Sequence, residues 1–99
     1  FDVSAACAGF IYSLANATAM IESGAAKNII VVGVDCLTKQ VDWSDRSTCV
    51  LFGDAAGAVV ISAEENTDRG VQRTVMLSDG SGAPFICMEM GGTKFRPGR

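Results

Sequence analysis

The feature that most constrains the fold is the stretch FDVSAACAGF at residues 1–10, together with the apolar segment that follows it. A short run with β character ends in small residues, and Cys7 stands where the apolar segment begins. That segment predicts a helix from about Ala8 to Ser23, with Gly24 placed to end it. Its apolar residues lie on every side, which is typical of a helix buried inside a layered domain. Cys7 is therefore predicted at the N-terminal end of a buried helix.

This position favours a nucleophilic role for Cys7. Unpaired backbone N–H groups and the helix dipole favour negative charge at a helix N-terminus, and so favour the thiolate that acts as a nucleophile. Small neighbours also leave room for a substrate to reach the sulfur; they are Ala5, Ala6, Ala8 and Gly9. The alternative is that Cys7 is a small packed core residue, as many free cysteines are. These features leave both interpretations open.

Length and composition predict part of a layered globular domain. Ninety-nine residues, 48% hydrophobic and 19% charged, fit at most one small ordered domain. The apolar helix and the β-branched run Asn28–Val34 each need cover on more than one face. The chain also begins within what reads as a strand, without a methionine. We therefore expect a piece of a longer protein.

Charge and cysteine usage argue against several classes of function. The formal net charge of -3 argues against nucleic-acid binding. The four cysteines are widely spaced and the chain has no histidine, so a zinc site is not expected. The chain lacks the loop-rich character of a secreted disulfide scaffold, which favours a reducing, cytoplasmic location. No apolar run of about 18 residues occurs, so no transmembrane helix is expected.

The remaining segments predict an α/β arrangement. Asn28–Asp35 reads as a strand covered on both faces, and strand, helix and strand in succession predict a right-handed βαβ unit with parallel strands. Residues 36–47 form a loop or a short helical turn. Ala58–Ala63 reads as a strand, and Val71–Ser78 as a strand paired antiparallel to it.

Three shorter segments carry ambiguous patterns. The glycines around Asp54 suggest a phosphate loop, but the lysine and the Ser or Thr of that motif are missing, and Asp54 reads as a hydrogen-bonded structural carboxylate. Asp79–Gly82 resembles the start of a calcium loop but lacks the later ligands, so it predicts a turn. Phe85–Met90 is a candidate short strand, and residues 91–99 predict a loop.

Two separated motifs carry a family resemblance. The first is DVSAACAGF at Asp2–Phe10; the second comprises DRST at Asp45–Thr48 and FGDAAGA at Phe52–Ala58. Together they resemble the β-ketoacyl-acyl-carrier-protein synthase III family. The likeness covers residues 1–82, which would belong to the N-terminal condensing-enzyme half, and leaves 83–99 as a loop-rich tail of an incomplete domain. It implies a thiolase-like layered α/β fold (α-β-α-β-α), of which this chain is the later part of the first half.

The resemblance also implies a reaction and a set of site residues. Cys7 would be acylated by acetyl-CoA or another short acyl-CoA, and condensation with malonyl-acyl-carrier protein would start type II fatty-acid synthesis. Arg46 would bind coenzyme A, and Leu37 and Phe52 would line the acyl pocket. Alternatively, Arg46 is a solvated ion-pair partner of Asp42 or Asp45. Leu37 and Phe52 have the alternative of being ordinary core residues. Acyl-CoA is a substrate, no cofactor is implied, and members of the family are homodimers.

The family also needs a histidine and an asparagine that this chain does not provide. They lie in the second half of such enzymes, where they bind the malonyl thioester and promote decarboxylation. The chain has no histidine, so we expect it to hold the nucleophile without completing the condensation alone. Two alternatives stay open: a related condensing enzyme of secondary metabolism or ketone formation, and a non-catalytic structural or dimerising half in which Cys7 is packed.

Overall fold

A computed structural model describes residues 1–88 of the chain. One α-helix and two β-strands form its framework, and we name them α1 (Gly9–Glu22), β1 (Asn28–Cys36) and β2 (Asp54–Ser62). Short 3₁₀ segments lie between and around these elements, at Ala6–Ala8, Leu37–Lys39, Cys49–Leu51 and Gly80–Phe85.

Helix α1 begins and ends within one residue of its predicted bounds. Gly24 has a φ of +76°, the left-handed conformation that glycine adopts without steric cost, and its N–H donates to the Ile21 carbonyl at 2.9 Å. The predicted end of the helix is therefore confirmed. Within residues 1–88 only Ala17 of this helix is buried, so the all-round cover that its apolar sequence predicts is not supplied by this part of the chain.

Strands β1 and β2 form an antiparallel two-stranded ladder that runs from the pair Asn28–Ser62 to the pair Cys36–Asp54. The predicted strand at Asn28–Asp35 is confirmed, and β2 begins four residues before the predicted Ala58. Strand residues alternate between two faces. Val31 is 4% exposed on the face beneath α1, whereas Val34 on the opposite face is 68% exposed. Residues 1–88 therefore cover the β1 part of one face of the sheet, leave Val59 of β2 on that face 41% exposed, and leave the opposite face open.

Two strand predictions are wrong for the described residues. Residues 1–5 are not in a strand, so the parallel βαβ unit does not form and the sheet is antiparallel. Val71–Ser78 has no regular secondary structure, and within the described residues β2 pairs with β1 alone. A run of β-favouring residues becomes a strand only where another strand offers its backbone groups, and local sequence does not reveal that partner.

The connecting segments follow the sequence more closely. The loop after β1 contains the predicted short helical turn, at Leu37–Lys39. The Asp79 carboxylate accepts a 2.9 Å hydrogen bond from the Ser81 N–H and so starts the 3₁₀ segment Gly80–Phe85, where a turn was predicted. That segment includes Phe85, and residues 86–88 have no regular structure, so the candidate strand at Phe85–Met90 is wrong in its described part. Its last two residues and the predicted loop at 91–99 lie outside the described residues.

None of the helices within residues 1–88 combines the length and the apolar character that a bilayer crossing requires.

Candidate functional site

Cys7 lies at the centre of the 3₁₀ turn Ala6–Ala8, which leads directly into α1. The Ala8 N–H donates to the Ala5 carbonyl at 3.1 Å and closes this turn. The side chain of Cys7 is exposed and its sulfur is a free thiol. The structure thus places Cys7 at the N-terminal end of the helical segment, where the sequence predicted it, and leaves its sulfur open to a substrate.

Ala6, immediately before Cys7, has a φ of +46°. An L-residue in this left-handed region costs roughly 1–2 kcal/mol, and such conformations concentrate at functional sites. The reversal of the chain at Ala6 presents Cys7 on a sharp corner between the N-terminal segment and the helix. Sequence reasoning missed this feature, because alanine gives no signal for a left-handed conformation in the way that glycine does.

We predict that Ala6→Val slows acylation of Cys7 by about tenfold. A β-branched side chain resists the left-handed conformation, and about 1.4 kcal/mol of added strain corresponds to a tenfold change in rate. Ala6→Gly is the matched control and should keep the rate, since glycine adopts this φ freely. The measurement is the rate of acyl-enzyme formation in the full-length protein that carries this segment. Equal rates for the two variants would contradict the role of the corner.

The start of α1 lies over the carboxyl end of β1. Gly33 has no side chain, and the Phe10 ring packs against the strand at this residue. Ring carbon Cδ2 lies 3.7 Å from the position that a Cβ of Gly33 would occupy. A groove of about 810 Å³ lies between the N-terminal segment, α1 and β1, and it is lined by both Cys7 and Asp35. Cys7 therefore borders a cavity that reaches the last residues of β1.

Leu37 and Phe52, the predicted acyl-pocket residues, leave the sheet at this same end. The ladder closes with the pair Cys36–Asp54, so Leu37 follows the last pair on one strand and Phe52 precedes it by two residues on the other. Leu37 is half-buried and Phe52 is 37% exposed. The structure therefore brings Leu37 and Phe52 to the same end of the sheet, a proximity that their positions in the chain do not show. Neither residue lines the groove that Cys7 borders.

Arg46 lies on the loop that joins Leu37 to Phe52, and aspartate side chains hold this loop in shape. The Asp45 carboxylate accepts hydrogen bonds from the Ser47 N–H at 2.9 Å, the Ser47 hydroxyl at 2.6 Å and the Thr48 hydroxyl at 2.6 Å. Asp42 accepts from the N–H and hydroxyl of Ser44 in the same manner. These bonds lower the pKa of both carboxyls below the ordinary 3.8. The exposed Arg46 side chain thus projects from an ordered loop.

We predict that Asp45→Ala makes trypsin cleave after Arg46 severalfold faster. The substitution removes three hydrogen bonds that order the loop, and proteases cut segments that open readily. Because the pKa of Asp45 is depressed in the folded chain, its bonds are kept above pH 3.8 and lost as the pH falls through the lowered value. Asp68→Ala, which removes an equal charge from another exposed loop, should leave cleavage after Arg46 unchanged. Limited proteolysis followed by mass spectrometry compares the two.

Asp54 is a hydrogen-bonded carboxylate, as the sequence predicted. It accepts from the Thr38 N–H at 2.8 Å and the Thr38 hydroxyl at 2.6 Å, and the Cys36 thiol lies 3.5 Å from Oδ2. The bonds from Thr38 are the main cause that lowers the pKa of Asp54, whereas its carboxylate raises the pKa of the Cys36 thiol. The side chain of Asp54 is exposed within residues 1–88.

The part of the chain that the structure describes contains no group of three or more Cys, Asp or Glu side chains arranged to hold a metal ion.

The family described as 3-oxoacyl-[acyl-carrier-protein] synthase III matches residues 1–80. The chain belongs to this family. Among curated synthase III relatives, that of Coxiella burnetii is 50% identical over 91 residues, which cover 92% of this chain and 28% of the relative. That of Xylella fastidiosa is 56% identical over 81 residues, which cover 82% of this chain and 24% of the relative. The family resemblance carried by the two motifs is confirmed, and the chain spans about a quarter of its relatives' length.

Solved synthase III structures confirm the family's thiolase-like α/β fold for this chain. The Thermus thermophilus enzyme superposes with a TM-score of 0.79 at 43% identity, covering 85% of this chain and 26% of the other. The Aquifex aeolicus enzyme gives a TM-score of 0.65 at 61% identity, covering 67% of this chain and 21% of the other. The open face of the sheet is accordingly that of a synthase III segment and not of a whole domain. The roles of Cys7, Arg46, Leu37 and Phe52 remain predictions.

Proposed function

We propose that the protein carrying this segment is an acyltransferase that performs the initiating condensation of type II fatty-acid synthesis. The observation that carries the proposal is the exposed free thiol of Cys7 at the start of the helical segment, beside the groove between α1 and β1. Membership of the synthase III family supports the same reaction. In this proposal acyl-CoA and malonyl-acyl-carrier protein are the substrates.

The first step is acyl transfer to Cys7. The thiolate attacks the carbonyl carbon of the acyl-CoA thioester, and the electron pair moves to the carbonyl oxygen. Backbone N–H groups at the start of the helical segment are suited to stabilise that oxyanion, and the Cys7 N–H is one candidate donor. The oxyanion then collapses, coenzyme A leaves as a thiolate that takes up a proton, and the acyl group remains on Cys7 as a thioester.

The second step is condensation with loss of carbon dioxide. The malonyl group loses CO₂, and the electron pair of the broken C–C bond forms a carbanion on the carrier-protein thioester. This carbon attacks the acyl-Cys7 carbonyl, Cys7 leaves as a thiolate, and the product is a β-ketoacyl-acyl-carrier protein. The histidine and asparagine that the family uses for decarboxylation belong to the second half of such enzymes, so this segment contributes the acyl acceptor.

Binding roles follow from the chemistry of each side chain. Arg46 is proposed to hold the coenzyme A nucleotide, because a guanidinium pairs with phosphate and stacks on a flat base. Leu37 and Phe52 are proposed to contact the acyl chain. We also propose a homodimer, and a cytoplasmic location because a reducing compartment keeps the Cys7 thiol free.

The test treats the full-length protein with acetyl-CoA and identifies the acetylated peptide by mass spectrometry. We expect one acetyl group on the peptide that contains Cys7, and its removal when malonyl-acyl-carrier protein is added. Acetylation that malonyl-acyl-carrier protein does not discharge would indicate a relative with another acceptor. The encoding DNA beyond the codon for Arg99 should also continue in frame and supply the histidine and asparagine.

Alkylation by iodoacetamide at neutral pH separates this function from that of a non-catalytic half. We expect Cys7 to react first, since its thiol is exposed at the start of the helical segment. Cys36 is also exposed, but the Asp54 carboxylate beside it raises the pKa of its thiol and so slows its reaction. If Cys7 reacted no faster than Cys36, Cys49 and Cys87, the structural interpretation would be favoured.

A further inference from the structure

The Asp54 carboxylate links the turn that follows β1 to the start of β2 through hydrogen bonds. Asp54 is the first residue of β2 and pairs with Cys36, the last residue of β1. Its two oxygens accept the Thr38 N–H at 2.8 Å and the Thr38 hydroxyl at 2.6 Å, and the Cys36 thiol lies 3.5 Å from Oδ2. These bonds join residues 16 and 18 positions apart, so they are tertiary contacts and not part of a local turn.

These contacts bracket Leu37. The residue before it and the residue after it both bond to the same carboxylate, so the backbone of Leu37 is held at two adjacent points. A hydrogen bond to a charged acceptor is stronger than one between neutral groups, and a bidentate arrangement also fixes direction. The turn Leu37–Lys39 has no side-chain cap of its own at its start, and Asp54 supplies the side-chain hydrogen bonds that hold it against β2.

We propose that Asp54 is a positioning residue that sets the depth of the acyl pocket by holding Leu37 in place. This inference rests on the proposed function, because it takes Leu37 as part of the pocket wall. Asp54 itself does not touch the substrate in this arrangement. Asp54 acts through the turn. While its carboxylate holds Thr38, the Leu37 side chain stays at a constant distance from the end of the sheet. Leu37 then limits the length of acyl chain that the pocket can accept.

Asp54→Asn is the sharpest substitution, because it keeps the shape of the side chain and removes the charge. The amide retains one oxygen acceptor, so it cannot accept the N–H and the hydroxyl of Thr38 on separate oxygens as the carboxylate does. A second variant, Thr38→Val, removes the 2.6 Å hydroxyl bond from the other partner and leaves Asp54 intact. Asp68→Asn is the control for the loss of one carboxylate charge elsewhere on the surface.

The experiment compares kcat/KM for acetyl-CoA and hexanoyl-CoA in the full-length protein. We expect Asp54→Asn to raise the hexanoyl-to-acetyl ratio by about tenfold, the lower end of what one methylene is worth in an apolar pocket. Thr38→Val should shift the ratio in the same direction, and the double variant should shift it by less than the product of the two, since both remove the same contact. Asp68→Asn should keep the wild-type ratio.

Each result has a separate meaning. A purely structural role for Asp54 predicts a lower Tm and equal losses with both substrates, and that outcome overturns the proposal. If Asp54→Asn does not fold, Thr38→Val decides alone, and an unchanged ratio in that variant also overturns it. If wild-type protein is acylated by neither substrate, the proposed function itself fails, which is a different result from acylation with an unchanged ratio.

Discussion

Replacing Cys7 with alanine should abolish acyl transfer by the full-length protein, with a loss of roughly a thousandfold or more in kcat/KM. Such a loss corresponds to about 4 kcal/mol of transition-state stabilisation, and it is expected because no other group can carry the acyl chain between the two steps. Steady-state assays with acetyl-CoA and malonyl-acyl-carrier protein measure it. Cys7→Ser is expected to be almost as inactive, since a serine hydroxyl ionises far less readily than a cysteine thiol.

The matched control is Cys36→Ala. Cys36 is another exposed cysteine, in the last pair of the sheet, and its thiol lies 3.5 Å from a carboxylate that raises its pKa. We expect this variant to form the acyl-enzyme at Cys7 from acetyl-CoA as the wild type does, because the two bonds from Thr38 to Asp54 still hold the turn that contains Leu37. Acylation that persists in Cys7→Ala and disappears in Cys36→Ala would reverse the assignment of the nucleophile.

The second large effect is expected at Arg46. Arg46→Ala should raise KM for acetyl-CoA by about 10- to 100-fold while kcat changes little, because hydrogen bonds to a charged group are worth about 1.5–3 kcal/mol. The lost contact lies on the nucleotide, remote from the thioester, so it stabilises bound substrate and transition state alike. Arg46→Lys should recover part of the loss, since an ammonium pairs with phosphate but does not stack on a base.

Two comparisons make this prediction specific. Arg73→Ala removes another exposed arginine and should leave KM unchanged. An acetyl thioester of pantetheine, which lacks the nucleotide, should acylate the wild type and Arg46→Ala at similar rates. A loss of equal size with this truncated substrate would show that Arg46 acts on loop structure or at the thioester, and the assignment to coenzyme A would be withdrawn.

Helix α1 and strand β1 were predictable because their signals are local. The end of the helix depends on Gly24, whose own φ of +76° closes the last turn, and β1 is a continuous β-branched run. The motif around Cys7 was likewise readable, since a nucleophile before a helix is a feature of adjacent residues. The sequence predicted that Asp54 is a hydrogen-bonded carboxylate, but it did not identify the donor groups.

The pairing of strands was not predictable, because it depends on residues far apart in the chain. The run at Val71–Ser78 has the composition of a strand, yet β2 pairs with β1 and the run has no regular structure in the chain described. The N-terminal residues likewise lack a strand to pair with in this segment. Strand formation needs a neighbour's backbone groups, so composition alone leaves it undetermined.

The sequence by itself determined the helix, the first strand and the family, and it predicted Cys7 as the nucleophile. Only the tertiary structure decided that β1 and β2 are antiparallel and that Ala6 adopts a left-handed conformation before Cys7. It also decided that Asp54 accepts hydrogen bonds from the turn that contains Leu37. The reason is the range of the interactions. Helix caps, residue propensities and motifs act over a few neighbouring residues. The register of the strands, the approach of Leu37 and Phe52 at one end of the sheet, and the hydrogen bonds from Thr38 to Asp54 depend on which distant segments meet.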